Sequence, residues 1–112
     1  MHSEKFIIEN EVPWEVTGDG VRRQILGYDG HLMQVKVAFR SGSIGYAHQH
    51  IHSQSSLVVS GKFEVTIEGE SKILIAGDGF YVAPNMLHGV TCLEEGVLLD
   101  GFSPVRLDFL QK

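Results

Sequence analysis

The segment GKFEVTIEGE, residues 61–70, switches between apolar and polar side chains at every step, and this period of two constrains the fold more than any other feature. Successive side chains on a strand point to opposite faces, so Phe63, Val65 and Ile67 face a core while Lys62, Glu64, Thr66 and Glu68 face water. LMQVKVAF (32–39) repeats the pattern, with Met33, Val35, Val37 and Phe39 on one face. Turn chemistry punctuates these runs. Glu68-Gly69-Glu70 leads into SKILIAGDG, and Gly77-Asp78-Gly79 precedes FYVAP. GVTCL and GVLLDGF are expected to pair as a hairpin across Glu94-Glu95-Gly96. Turns at this spacing, with thirteen glycines in 112 residues, predict an all-β sandwich or barrel of short strands. One short helix is expected at 103–112, with Ser103 as N-cap, Pro104 in the first helical position and VRLDFLQK following. The whole chain, 1–112, reads as a single domain, with residues 1–20 an N-terminal arm or edge strand.

Charge and targeting signals narrow the function. A formal charge of -5 argues against a nucleic-acid or anionic-membrane partner. The start, MHSEKFIIENEVPWE, lacks the basic-then-apolar pattern of a signal peptide, and no apolar run reaches membrane-spanning length. A cytoplasmic location is therefore expected. The single Cys92, in the apolar GVTCL, is expected to be a buried, inert thiol.

HQHIHSQSS (48–56) concentrates half of the chain's six histidines in five residues. His48 and His50 share a strand face with Cα atoms roughly 6.6 Å apart, close enough for two imidazoles to converge on one ion. Gln54 has the same parity but on a straight strand would lie about 20 Å from His48, so it can join them only if IHS turns the chain. SLVVSGKFEV would then be the returning strand. In GDGFYVAPNMLHGV, a proline turn at Pro84 places His88 at the start of another strand. Three imidazoles and one amide oxygen suit a divalent transition metal such as Zn, Mn, Fe, Co or Ni. His2 and His31 read as ordinary satisfied polar residues, and His52 falls in the required turn.

These residues resemble the cupins, small double-sheet β-barrels. The first cupin motif runs from a glycine through H-x-H and a glutamate to a second glycine. Here it is matched by Gly42, His48, His50 and Gly61, with Gln54 in the place of the glutamate. The second is approximated by Gly77 or Gly79, Pro84 and His88, with Met86 where a glycine is usual. RQILGYDGHLM (23–33), HQHIHSQ (48–54) and LLDGFSPVRLDFL (98–110) are similar to the KdgF group of pectin-degradation cupins, whose members share H-x-H-x-H-x-Q. The resemblance implies a cupin-type double-stranded β-helix, or jelly-roll barrel. It implies one divalent metal ion per chain held by His48, His50, Gln54 and His88. It also implies conversion of 4,5-unsaturated monouronates to the linear 5-keto sugar acid, with Asp100, Phe102 and Arg106 in a D-x-F-S-P-x-R active-site segment.

Chemistry assigns these residues roles within that resemblance. A neutral Gln54 leaves the charge of a divalent site intact, which favours a strong Lewis acid and attraction of an anionic uronate. Asp100, flanked at the same parity by Leu98 and Phe102, is the candidate acid/base, its pKa raised by apolar neighbours. Arg106 is the candidate clamp on the substrate carboxylate, Phe102 a wall or core aromatic, Asp108 solvated surface and Arg23 a second inward cation. A three-histidine dioxygenase and a non-catalytic sugar-acid-binding barrel are the competing functions. Phe6-Ile7-Ile8 and Trp14 suggest that the arm could add an edge to a second copy, giving a homodimer.

Overall fold

The computed structural model describes Met1–Gln111. Its eight strands are β1 (Glu15–Gly18), β2 (Val21–Tyr28), β3 (Met33–Phe39), β4 (Ile44–His48), β5 (Ser53–Ile67), β6 (Glu70–Ile75), β7 (Gly79–Val82) and β8 (His88–Ser103). The period-two segments become strands as their alternation dictates. Met33, Val35 and Phe39 of β3 and Phe63 and Val65 of β5 are buried, and the exposed residues between them are Gln34 and Glu64.

β5 and β8 run antiparallel along most of their length, and each serves both layers. The first part of β5 pairs with β7 on its other edge, and the later part, Lys62–Ile67, pairs with β6. β8 pairs with β4 near His88–Thr91 and with β3 over Gly96–Phe102, from which β2 and β1 extend the sheet. The two layers enclose Val21, Phe39, Val58, Phe63, Val65, Cys92 and Leu98, and a second cluster of Met33, Val35, Phe102 and Val105 lies beside them. This is the expected jelly-roll barrel. Cys92 is buried, and burial pushes its thiol pKa up.

The expected hairpin at Glu94-Glu95-Gly96 does not form, because GVTCL and GVLLDGF lie within the single strand β8. β8 passes there along a series of register shifts in its pairing with β5. A Cβ on Gly61, at φ +84°, would lie 2.5 Å from the Glu95 carbonyl oxygen, and one on Gly96 would collide with the Ser60 carbonyl. The glycines are therefore required by the crossing of two backbones, not by a turn.

The C-terminal end also departs from expectation. The helix α1 spans only Leu107–Leu110, a single turn, with Arg106 at its N-cap. Ser103 is the last residue of β8 and donates its hydroxyl to the His31 carbonyl (2.7 Å), and Pro104 follows through a cis bond, outside the helix. Lys112, the end of the expected helix, lies outside the described residues. Within residues 1–20, only Glu15–Gly18 forms an edge strand, paired with β2. The arm before it contains a 3₁₀ turn at Glu9–Glu11 and is tied down by buried Gln24, whose Nε2 donates to the Glu9 and Val12 carbonyls. Among the described residues, no helix is long and apolar enough to cross a membrane.

Candidate metal centre

His48 ends β4 and His88 begins β8, and the two are directly paired across the strands. His50 follows in the connection to β5, where its carbonyl accepts from the Asn85 amide (2.7 Å), locking the two turns together. The ring centroids of His48 and His50 lie 4.4 and 4.8 Å from that of His88. One ring nitrogen from each comes within 4.8 Å of the others, so the three imidazoles could hold one metal ion.

The backbone selects the tautomer. Nδ1 of His48 lies 2.9 Å from the Tyr46 carbonyl, Nδ1 of His50 3.0 Å from that of His52, and Nδ1 of His88 2.9 Å from that of Met86. A carbonyl only accepts, so each neutral imidazole donates from Nδ1 and keeps a bare lone pair on Nε2. The buried Nε2 of His88 has no partner. That of His50 lies 3.0 Å from Gln54 Oε1, which sets two acceptors face to face unless a cation lies between them. Burial lowers the pKa of His50 and His88, keeping both neutral and ready to ligate. The donor set of imidazole nitrogens beside an amide oxygen fits a divalent transition metal.

Turning at Ile51–His52 brings Gln54 back on β5, opposite Phe102 of β8, with Ser56 opposite Asp100. Strand parity then sends all four side chains inward. Gln54 Nε2 donates to Ser56 Oγ (3.0 Å), and Ser56 Oγ donates to Asp100 Oδ1 (2.6 Å). Burial raises the Asp100 pKa to about 6, against the Ser56 hydrogen bond and the nearby His48 and Arg106, which lower it. The carboxyl thus has the affinity of a group that can both take and return a proton near neutral pH.

The cavity in front of these groups measures about 180 Å³ and is lined in part by His48, His88, Asp100, Phe102, Arg106 and Arg23. Arg106 is buried, not a surface residue, and its Nε and Nη2 donate to Asp108 at 3.1 and 2.9 Å. Asp108 is accordingly no bystander: it orients the guanidinium, and the Arg106 hydrogen bond lowers its own pKa. Phe109 carries Arg106 on its ring at 4.1 Å and Arg23 at 3.8 Å. Phe102 is buried and meets His50 edge-on, with ring centroids 5.7 Å apart. His52 stays outside the metal cluster and contributes only its carbonyl; its ring packs against Phe102. His31 is exposed in its turn. A larger open groove of about 850 Å³, near Gly20, Arg40 and Gly96, lies away from this chemistry.

Sequence reasoning missed Ser56, the Asp108 and Phe109 support of the arginines, and the three carbonyl anchors. Ser56 was detectable, since it shares the parity of Gln54. The carbonyls carry no side-chain signature.

The profile of the Cupin domain family matches residues 35–100. The chain belongs to the cupin family. This cupin is 50% identical over 108 residues, 95% of its own length and 98% of the relative's, to the pectin degradation protein KdgF of Dickeya dadantii (strain 3937). Its fold superposes on an RmlC-like cupin from Shewanella frigidimarina NCIMB 400 with a TM-score of 0.94 at 46% identity, covering 96% of this chain and 97% of the other. KdgF from Halomonas sp. superposes with a TM-score of 0.91 at 38% identity, covering 96% and 99%. Within the cupins the chain is similar to the KdgF group.

Proposed function

We propose that this cupin binds one divalent transition metal through His48, His50, Gln54 and His88 and converts 4,5-unsaturated monouronates to the linear 5-keto-4-deoxyuronate. The observation that carries the reading is the Asp100 carboxyl, with its pKa near 6, on the wall of the same cavity as the converging imidazoles. Similarity to a pectin degradation protein supports the substrate class.

When bound, the ion supplies Lewis acidity toward the oxygens of the sugar ring. The remaining work falls to the protein. Arg106, held by Asp108, offers its remaining N–H groups to the substrate carboxylate, and Arg23, also stacked on Phe109, adds positive charge to the cavity lining. Phe102 and Phe109 wall the cavity and exclude water. Asp100 takes the proton of the anomeric hydroxyl; a carbonyl forms at that carbon and its bond to the ring oxygen breaks. The electrons remain on the C4–C5 enol, and Asp100 returns the proton to C4, leaving a ketone at C5. One proton leaves and one returns, so the step is an isomerisation without redox change. A dioxygenase has no use for this carboxyl or for two arginines in the cavity.

Incubating the metal-loaded protein with an unsaturated monouronate should abolish its C4=C5 ultraviolet absorbance faster than the spontaneous rate. A decay no faster than the buffer control would overturn the reading. As a further proposal, a second copy packs on the arm, where Phe6 and Ile8 are exposed; sedimentation showing a monomer would refute it.

A further inference from the structure

We infer that Ser56 is a positioning residue that decides which end of the Gln54 amide faces the metal. The two ends of a glutamine amide have nearly the same shape, yet only the oxygen can ligate a cation. Something must therefore break the tie, and nothing in the cupin motif does so.

Ser56 has one proton. Its Oγ donates to Asp100 Oδ1 at 2.6 Å, and the ionised carboxylate can only accept. With its proton directed there, Ser56 presents only lone pairs to Gln54, 3.0 Å from Nε2. The amide nitrogen must then point at Ser56, which turns Oε1 toward His50 Nε2 and the shared centre. A reversed amide would set Oε1 against the Ser56 lone pairs and N–H groups against the cation. Gln54 and Ser56 are both buried, so water does not replace either bond freely.

The same chain gives a second reason for glutamine at this position. A glutamate there would have no proton to offer Ser56, and the single hydroxyl proton could not serve that carboxylate and Asp100 together. Ser56 thus joins the ligand to the acid/base through one hydroxyl. This inference rests on the metal site proposed above, but not on the reaction.

The test is a cycle of full-length variants titrated with Co²⁺ and read by visible d–d absorption. Ser56→Ala should weaken Co²⁺ binding by about five-fold or more, the size of one lost orienting hydrogen bond, and Ser56→Thr should restore it. In the Gln54→Glu background both ligand atoms are oxygens, so there is no orientation to lose. There Ser56→Ala should change affinity by about two-fold or less. Equal weakening in both backgrounds, or none in either, would show that Ser56 only fills space. A measurement on the wild-type chain backs this up. With Zn²⁺ bound, the Gln54 side-chain NH₂ protons should exchange slowly because they face Ser56, and fast exchange would overturn the assignment. Failure of the uronate reading shows separately, as a wild-type protein that obeys this cycle yet leaves the substrate unchanged.

Discussion

Two demands meet at Asp100. Folding buries a carboxyl whose pKa rises from 3.8 to about 6, so the folded state holds that proton more tightly than the unfolded chain does. The resulting stability is complete below pH 3.8 and is lost as the pH rises through 6. At about 1.4 kcal/mol per unit, the loss at neutral pH is on the order of 1–3 kcal/mol. Asp100→Asn should therefore raise the melting temperature of the metal-free protein by several degrees near pH 7.5 and leave it almost unchanged near pH 4. Calorimetry at both values checks this, and an equal shift at both would contradict it. The same substitution cannot carry a proton, so kcat should fall roughly 10²-fold or more with little change in KM. Arg106→Lys should act the other way, raising KM because the fork is lost while the charge stays. Asp108→Ala should raise KM in the same direction by freeing the guanidinium, and steady-state kinetics would separate the two patterns. At this scale much was legible in the sequence. Parity put His48 beside His50 and set Leu98 and Phe102 on the same face as Asp100, whose place in the site came from the resemblance of the D-x-F-S-P-x-R segment. The support of Arg106 by Asp108 was not legible, because two residues beyond the end of a strand no fixed period relates side chains.

β8 shows why elements were harder to read than residues. Glu94-Glu95-Gly96 has the composition of a turn, and by local chemistry alone a hairpin is the better assignment. Gly96 is there because the backbone at Ser60 and Gly61 passes against it, a contact between segments far apart in sequence. Gly96→Ala should accordingly cost more than an ordinary glycine substitution in a strand, by more than about 2 kcal/mol. Urea unfolding should show this as a lower midpoint with an unchanged slope. The C-terminal signal misled for a related reason. Ser103 and Pro104 have the composition of a helix start, but the hydroxyl of Ser103 is taken by the His31 carbonyl across a loop. The helix waits until Leu107, which is what leaves Arg106 turned toward the cavity. The alternating strands β3 and β5, by contrast, carried their burial pattern openly.

For the molecule as a whole, a metal at the proposed site would stabilise the fold, since its ligands come from β4, the turn after it, β5 and β8. An ion at 100 times its dissociation constant should add about 2.7 kcal/mol to the stability of the folded state. A chelator should then lower the melting temperature of the wild type, and His88→Ala should abolish the difference. A chelator effect that survives in the variant would place the ion elsewhere. The barrel's construction from β5 and β8 has one more consequence. Because each of these strands passes through both layers, the layers share their backbone and have no seam along which to part. The wall that bears Gln54 and Ser56 and the wall that bears Asp100 and Phe102 are adjacent rungs of a single ladder. On the proposed function, a sugar acid would therefore enter a standing cup, not a closing hand, and any discrimination between epimers would rest on the shape of the empty vessel.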